Sequence, residues 1–350
     1  MKVIKNVGGN RMAILVTGGT GYIGSHTVVD LLNHGYEVVI LDNYSNSKPE
    51  VLNRIFQITG KRPKFYLADI QDYEGMKKVF KNENITNVIH FAGLKSVAES
   101  VAKPDLYFKN NVGGSKVLLQ LMSEFNVHNL VFSSSATVYG VPDHVPLSEN
   151  DKVGGCTNPY GQTKLDIEYL LKDYAEEHKD ANIAILRYFN PIGAHSSGLI
   201  GEDPNGIPNN LMPYITQVAV GKRPHLNVYG NDYKTVDGTG VRDYIHVVDL
   251  ARGHLCALKK LEEKPGLVIY NLGTGKGTSV LELVHAFEKA NNIKIPYVIC
   301  DRRPGDVDEN YAEASKAYKE MNFKTELNIE DACRDSWRWQ KNNPNGYDKE

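Results

Sequence analysis

A tyrosine and a lysine four residues apart, Tyr160 and Lys164, open a segment whose pattern predicts a helix. Residues at this spacing lie on one face of a helix, so their side chains project in the same direction. A phenol with its ordinary pKa of about 10 is a poor base at neutral pH. A nearby ammonium group lowers that pKa, so the pair predicts a general base.

The same spacing occurs elsewhere, and the surroundings distinguish the copies. Tyr-x-x-x-Lys is found at Tyr44/Lys48, Tyr73/Lys77 and Tyr160/Lys164. The first copy lies in a polar turn, and the second is best interpreted as the solvated face of a helix. Only the third is preceded by Pro159, which suits the first turn of a helix, and follows a strand that ends in Ser133–Ser135. We therefore predict Tyr160, Lys164 and Ser135 as the catalytic residues.

A glycine-rich turn joins the first predicted strand, Ala13–Val16, to the first predicted helix, Tyr22–His34. It contains Gly18, Gly21 and Gly24. Glycine lets the backbone turn sharply and approach a pyrophosphate, which the amides and dipole of a helix N-terminus bind. Because tight turns also need glycine, this motif alone is weak evidence for pyrophosphate binding. The residue at the end of the next strand distinguishes a nucleotide-binding turn from an ordinary one.

That residue is Asp42, which ends the second predicted strand, Glu37–Leu41, at about the expected spacing from the turn. A carboxylate at this place accepts hydrogen bonds from an adenosine ribose and repels the additional phosphate of NADP. We therefore predict NAD as the cofactor, and we expect its positive nicotinamide ring to act together with Lys164 in lowering the pKa of Tyr160. Further cofactor contacts are predicted at or near strand ends, at Tyr22, Ile23, Asn43, Asp69, Ile70, Phe91, Ala92, Gly93, Lys95, Asn110 and Phe189. Ordinary packing is the alternative interpretation of Phe91–Gly93.

Short apolar strands alternate with amphipathic stretches through the first half of the chain. Further strands are predicted at Lys64–Leu67, Val88–Phe91, Asn129–Ser133 and Ile183–Arg187. Helical segments separate them, and one of these ends near Phe125. This alternation predicts right-handed crossovers and a Rossmann-type α/β fold with a doubly wound parallel sheet.

The composition changes after Asn190, where proline and glycine become frequent. We predict an NAD-binding domain over residues 12–190 and a smaller α/β substrate-binding domain over residues 191–350, parts of which pack back on the first domain. A ligand is expected in the crevice between them, at the carboxyl ends of the strands. Residues 1–11 are expected to be an extension that has no part in the fold.

Composition excludes several classes of function. Of the 350 residues, 41% are hydrophobic and 23% are charged, and the formal net charge of −2 predicts neither nucleic-acid binding nor attraction to anionic membranes. No segment has the apolar pattern of a membrane span or a signal peptide. The four cysteines show no Cys-x-x-Cys spacing. We therefore expect reduced thiols, no metal site and a cytoplasmic location.

Several motifs together resemble one protein family. The turn Thr17–Gly24, the serine strand end, the Tyr160/Lys164 pair and Arg187–Asn190 resemble the extended short-chain dehydrogenase/reductases. Within that superfamily, further stretches are similar to the UDP-galactose/UDP-glucose 4-epimerases, namely His90–Lys95, Ser133–Gly140, Gly206–Pro213 and Gly238–His246. The similarity extends from Met12 to about Tyr347, so it is far more specific than any single motif.

This resemblance implies reversible epimerisation at C4 of a UDP-sugar. Tyr160 would take the proton of the sugar 4-hydroxyl with Ser135 as a relay, while Lys164 binds the nicotinamide ribose and lowers the pKa of Tyr160. The C4 hydride would pass to NAD, and the 4-keto sugar would rotate about its link to the diphosphate and take the hydride back on its other face. The family also implies a homodimer, paired through helices before Phe125 and after Tyr160.

The resemblance also implies a set of substrate-binding residues. Arg242 and Arg303 can each form two hydrogen bonds with diphosphate oxygens. Asp306 would accept from the uridine ribose, and Asn227–Tyr229 matches the segment that lines the uracil pocket. The full set is Ser135, Ala136, Thr137, Tyr160, Asn190, Asn210, Leu211, Asn227, Tyr229, Arg242, Arg303, Asp306 and Asn310.

One position bears on the choice of sugar. Asn310 matches the residue that gates the sugar pocket in this family, where a bulky tyrosine tends to exclude N-acetylated sugars. We therefore predict that UDP-GlcNAc and UDP-GalNAc are also interconverted. A shift of the match by one residue would place Tyr311 at the gate and reverse this prediction.

Other functions are alternatives. The related 4,6-dehydratases carry an Asp-Glu pair where this chain has Ala136-Thr137, so elimination of water is not expected. Epimerases of UDP-glucuronate or UDP-pentoses are closer rivals, although no binder of a 6-carboxylate is evident. A non-catalytic NAD-binding regulatory protein is a further alternative, but such proteins usually lose the tyrosine or the lysine that this chain keeps.

Overall fold

The computed structural model describes residues 12–303 and 305–348, so the expected extension at residues 1–11 lies outside the described residues. The strands are β1 (Ala13–Thr17), β2 (Glu37–Asp42), β3 (Lys64–Leu67), β4 (Ile85–His90), β5 (Asn129–Ser135), β6 (Asn182–Tyr188), β7 (Asn190–Ile192), β8 (Leu226–Tyr229), β9 (Val241–Arg242), β10 (Tyr244–His246), β11 (Leu267–Leu272), β12 (Thr278–Ser279), β13 (Tyr297–Cys300) and β14 (Glu309–Asn310). The helices are α1 (Tyr22–Asn33), α2 (Glu50–Thr59), α3 (Tyr73–Asn82), α4 (Val97–Ala102), α5 (Pro104–Tyr107), α6 (Gly114–Glu124), α7 (Pro159–Glu177), α8 (Leu211–Ala219), α9 (Val247–Leu261), α10 (Val280–Asn291), α11 (Ser315–Met321) and α12 (Ile329–Asn342). A π-helical segment covers Phe108–Gly113, and a 3-10 turn covers Ala136–Tyr139.

The central sheet confirms the predicted fold class. In the described part of the chain it has seven parallel strands in the order β11-β6-β5-β4-β1-β2-β3. β1 is buried along its whole length, as expected for a parallel strand covered on both faces. The strand order reverses between β1 and β4, and such a switch point opens a crevice at the carboxyl ends of the strands. The predicted first-half strands are all present, Lys64–Leu67 with its predicted bounds and the others with shifted ends.

The last strand of this sheet comes from the second half of the chain. β11 pairs with β6 in parallel, with Leu267 opposite Ile183 and Leu272 opposite Tyr188. α9 packs against α1, β5 and β6, and its buried leucines join the same core. The segment from α9 to β11 therefore packs on the first-half sheet, while the domain boundary itself stays a prediction.

A second core lies beyond this sheet. It is formed by α8, α10 and α12 with β8 and β10, and Ile215, Phe287 and Cys333 are fully buried in it. Capping boxes fix the starts of two of these helices, Ser279 with Glu282 at α10 and Asn328 with Asp331 at α12. These caps hold the helices against which the short strands β7, β8 and β10 pack.

Membrane spans, metal clusters and disulfides would each change the functional interpretation. None of the described helices combines the length and the apolar character needed to cross a membrane. Within residues 12–303 and 305–348, no group of three or more His, Cys, Asp or Glu side chains could hold a metal ion. Cys156, Cys256, Cys300 and Cys333 are free thiols.

Candidate active site

A cavity of about 1200 Å³ contains nearly all of the predicted site residues. Residues that follow β1, β4 and β5 line it together with residues of β8, β9 and β14. Every residue predicted for cofactor, catalysis or substrate lines this cavity except Asp69. The three predicted sets therefore share one space, formed by both halves of the chain.

The glycine turn leaves no room for larger residues. Gly18 has a φ of +71°, and a Cβ added there would lie 2.7 Å from the nitrogen of Ala92. A Cβ added at Gly24 would lie 2.2 Å from the carbonyl oxygen of Gly18. Gly21 precedes α1, and no side chain caps this helix in the described structure. The first amides of α1 therefore belong to the cavity wall and have no side-chain cap, as a pyrophosphate site requires.

Asp42 is fixed at the end of β2. Its Oδ2 accepts a hydrogen bond from the Thr20 amide at 3.1 Å, and its Oδ1 accepts from the Tyr44 amide at 2.9 Å. The aspartate is only 8% exposed, so its charge lies against the cavity with little solvent screening. A carboxylate held in this way fits a ribose diol and opposes a 2′-phosphate.

Asp69 is not among the residues that line the cavity, but it contacts one of them. Its Oδ2 accepts from Asn43 Nδ2 at 2.8 Å, and its Oδ1 accepts from the Gln71 amide at 2.8 Å. Asn43 does line the cavity. The carboxylate of Asp69 thus orients a lining residue rather than forming the wall itself.

The catalytic residues converge at the end of β5. Lys164 is buried, and its Nζ donates to the carbonyl oxygen of Ser133 at 2.6 Å. Burial lowers the pKa of Lys164 to about 8, against the opposing effect of Glu168. Ser135 Oγ accepts hydrogen bonds from the Thr137 amide at 3.2 Å and lies 3.0 Å from the Thr137 hydroxyl. The strand end and the first turns of α7 therefore form one polar cluster.

The pKa of Tyr160 moves in the direction opposite to the predicted one. Burial raises it, and a hydrogen bond with Ser135 offsets this only in part. The prediction was that Lys164 and the positive nicotinamide ring lower this pKa together, and among the protein's own groups Lys164 does not lower it. The reason is placement, since Lys164 Nζ lies 6.0 Å from the centre of the Tyr160 ring and is directed to Ser133. Positive charge from a bound ligand is needed to lower this pKa.

A buried ion pair supports the cluster from behind. Arg187 Nη2 lies 2.7 Å from Glu168 Oε2, and Arg187 Nε lies 3.0 Å from Glu168 Oε1. Ser134 Oγ donates to Glu168 Oε1 at 2.6 Å. All three residues are at most 1% exposed. Glu168 is one turn after Lys164 on α7, and Ser134 lies between the other two serines at the end of β5. The Ser134–Glu168 hydrogen bond therefore fixes α7 to the end of β5, and the ion pair with Arg187 fixes it to β6.

The two predicted diphosphate ligands are held differently. Arg242 Nη2 lies 3.5 Å from Asp306 Oδ1, and its Nη1 donates to the carbonyl oxygen of Val307 at 3.0 Å. The guanidinium of Arg303 lies over the ring of Tyr229, 4.0 Å from its centre. Both cations line the cavity, so both are available to an anionic ligand.

Glu202 joins a predicted cofactor residue to a predicted substrate residue. Its Oε1 accepts from Asn210 Nδ2 at 2.7 Å and lies 3.3 Å from Lys95 Nζ. The carboxylate lines the cavity and is 9% exposed at the side chain. Lys95 and Asn210 are therefore brought together by a residue that the sequence analysis did not include.

Comparison with known proteins identifies the family of this site. The model of the NAD dependent epimerase/dehydratase family matches residues 14–273. The chain belongs to the NAD dependent epimerase/dehydratase family.

Relatives within this family are similar to the chain along nearly their whole length. UDP-glucose 4-epimerase of Pasteurella multocida (strain Pm70) is 61% identical over 336 residues, which cover 96% of this chain and 99% of that protein. UDP-glucose 4-epimerase of Homo sapiens is 55% identical, over 95% of this chain and 98% of the relative. The crystal structure of UDP-glucose 4-epimerase from Bifidobacterium longum in complex with NAD+ and UDP has a TM-score of 0.92 at 54% identity and covers 96% of this chain and 100% of that chain.

Two carboxylates of the site, Glu168 and Glu202, were not predicted from the sequence. Glu168 had a usable signal, since it lies four residues after Lys164 and so shares its helix face. Glu202 had none beyond its place in a segment rich in glycine and proline. Its contacts with Lys95 and Asn210 depend on how the two halves of the chain meet, which spacing does not reveal.

Proposed function

We propose that this chain is a UDP-glucose 4-epimerase, which interconverts UDP-galactose and UDP-glucose through a 4-keto sugar with NAD as cofactor. The observation that carries the proposal is one cavity that joins the glycine turn, the Tyr160–Ser135–Lys164 cluster and two arginines. Identity to UDP-glucose 4-epimerases over nearly the whole chain supports the same activity.

The residues present fit NAD. The backbone at Gly18 and Gly24 is so close-packed that a Cβ would clash, which suits a phosphate lying against it, and Asp42 offers a fixed carboxylate to the ribose. Bound there, NAD supplies a hydride acceptor and the positive charge of its nicotinamide ring. That charge is what Tyr160 lacks, because its own surroundings raise its pKa.

The protein's own groups handle the proton and the nucleotide. Tyr160 accepts the proton of the sugar 4-hydroxyl, and the hydrogen bond with Ser135 keeps the phenol in place. Tyr160 returns the proton when the 4-keto sugar is reduced on its other face, so the phenol ends the cycle as it began. Arg242 and Arg303 hold the diphosphate while the sugar rotates about its link to it.

The activity is tested with purified protein and UDP-galactose, without added NAD. Formation of UDP-glucose would support both the epimerase and a retained cofactor. No conversion by folded protein, even with NAD supplied, would contradict the proposal and favour another UDP-sugar or a non-catalytic role.

The substrate range is proposed to include UDP-GlcNAc and UDP-GalNAc. Asn310 lines the cavity, whereas Tyr311 is not among the lining residues described, which supports Asn310 as the gate residue. Asn310→Tyr is expected to slow epimerisation of UDP-GalNAc at least about 10-fold, or about 1.4 kcal/mol in the barrier, because the larger side chain takes the space of the acetamido group.

Conversion of UDP-galactose serves as the internal reference for this variant and is expected to stay within about threefold of the wild-type rate. Asn310→Ser is the matched control, since it keeps the gate small. Unchanged turnover of UDP-GalNAc in Asn310→Tyr would contradict the assignment of the gate.

The assembly is proposed to be a cytoplasmic homodimer. Val97 and Val101 on α4, Leu106 on α5 and Tyr169 on α7 are exposed apolar residues, and α4 and α5 pack against α7. A pair of such surfaces would bury apolar area in a two-fold interface. Sedimentation equilibrium tests the pairing, and a monomer at micromolar concentration would contradict it.

A further inference from the structure

Tyr233 carries a polar group that the proposed mechanism does not use. It follows β8 and lines the cavity at the end where Tyr229, Arg242 and Asp306 lie. The residue is 5% exposed, and its hydroxyl oxygen is buried without a hydrogen-bond partner in the described structure. Because buried hydroxyls nearly always have a partner, this one calls for an explanation.

The ring of Tyr233 is held in place on several sides. The guanidinium of Arg302 covers it at 3.9 Å from the ring centre, and Arg302 Nε is itself fixed 2.7 Å from Asp232 Oδ1. A Cβ added at Gly230 would lie 2.5 Å from Tyr233 Cε2, so the backbone closes another side. The hydroxyl therefore cannot reach a partner by a free swing of the ring, and a partner has to move toward it.

The nearest charged groups suggest which partner that is. Burial raises the pKa of Tyr233, Asp306 and Asp308 raise it further, and Arg302 and Arg242 oppose them. The phenol is therefore protonated at neutral pH and can donate. Asp306 now pairs with Arg242 at 3.5 Å, which is at the outer limit of a hydrogen bond.

We infer that Tyr233 is a positioning residue for the nucleotide end of the substrate. When the diphosphate draws Arg242 away, the Tyr233 hydroxyl donates to the Asp306 carboxylate and keeps it directed at the uridine ribose. The inference rests on the proposed function, because it requires a diphosphate at Arg242. The exchange gives a partner to a hydroxyl that lacks one and replaces the partner that Asp306 loses.

The test is Tyr233→Phe, which removes the hydroxyl and keeps the ring against Arg302. The affinity for UDP, measured by titration calorimetry, is expected to fall about 10-fold or more, as for the loss of one hydrogen bond to a charged group. The melting temperature of the protein without UDP is expected to stay the same or rise, because an unpaired buried hydroxyl is removed. The kcat for UDP-galactose is expected to stay within about twofold. Tyr318→Phe, at an exposed tyrosine of α11, is the matched control.

A second pair of variants tests the assigned partner. In an Asp306→Ala background, Tyr233→Phe is expected to cause no further loss of UDP affinity, because the acceptor is already gone. An equal loss in both backgrounds, an unchanged affinity in the single variant, or a joint fall of melting temperature and kcat would each overturn the inference. If the wild-type protein neither binds UDP nor converts UDP-galactose, the proposed function itself fails, so the two failures are distinguishable.

Discussion

The two ends of the cavity differ in how completely their polar groups are paired. At the catalytic end, Lys164 Nζ lies 2.6 Å from the Ser133 carbonyl and Arg187 Nη2 lies 2.7 Å from Glu168 Oε2, all of them buried. At the nucleotide end, the contact of Arg242 with Asp306 is 3.5 Å long and partly exposed. The catalytic groups are therefore positioned before substrate arrives, whereas the nucleotide site is completed by its ligand.

The elements that carry the two ends explain this difference. The catalytic groups lie on β5, β6 and the buried face of α7, which pack in the core. The nucleotide end is built from β9 and β14, strands of two residues each, and from the segment after β13. Proton transfer needs fixed geometry, whereas a substrate has to enter and leave. Each end thus has the degree of order that its task requires.

The largest expected effect is on the buried ion pair. Glu168→Gln leaves the Arg187 charge buried without a counter-charge, so we expect the free energy of unfolding to fall by about 3–5 kcal/mol in urea denaturation. Glu124→Gln is the matched control, because it breaks a partly exposed pair with Lys77 and is expected to lower the free energy of unfolding far less. Equal losses of unfolding free energy in the two variants would contradict the conclusion that the catalytic groups are positioned before substrate arrives.

The next effect is a pH dependence of stability that comes from Lys164. Burial lowers its pKa from the ordinary 10.5 to about 8, so between these values the unfolded chain binds more protons than the folded protein. The free energy of unfolding therefore rises with pH in this window. The destabilisation caused by burying the charged Lys164 is complete below the window and absent above it. We expect a contribution of about 3 kcal/mol in nucleotide-free protein.

Lys164→Met is expected to remove this rise, as followed by urea midpoints at a series of pH values. Lys276→Met, at an exposed lysine, is the control and should keep the wild-type slope. A slope in Lys164→Met as steep as in the wild type would show that the lysine is not desolvated as described.

The smallest expected effect concerns the nucleotide end. Tyr229→Leu removes the ring on which Arg303 lies, and a cation–π contact contributes about 0.5–1 kcal/mol at such sites. We expect UDP affinity to fall at least about two- to fivefold, because the placement of Arg303 is lost together with a ring that lines the predicted uracil pocket. Phe56→Leu removes a similar ring from Arg62 far from the cavity, and it should leave UDP affinity alone. A loss larger than that of Tyr233→Phe would mean that the ring itself contacts the nucleotide.

The contrast between the two ends also explains what could be predicted from the sequence. Gly18 and Asp42 belong to short motifs at strand ends, and Tyr160 and Lys164 lie in the first turns of α7, so local spacing determines their place. The partners of these residues lie elsewhere in the chain. The pairing of Glu168 with Arg187 depends on the register of α7 against β6, and Glu202 depends on the approach of the two halves. The rise that burial causes in the pKa of Tyr160 was missed for the same reason, since burial is a property of the whole fold.

The strand β11 has a consequence for how the protein is made. Residues 189–266 separate β6 from the strand that covers its edge, so that edge stays open until Leu272 has left the ribosome. An uncovered parallel strand of apolar residues is a template for pairing with other chains. A fragment that stops at residue 190 would keep the glycine turn and the catalytic pair but would carry this open edge permanently. Synthesis of the second half is therefore also what protects the first half from aggregation.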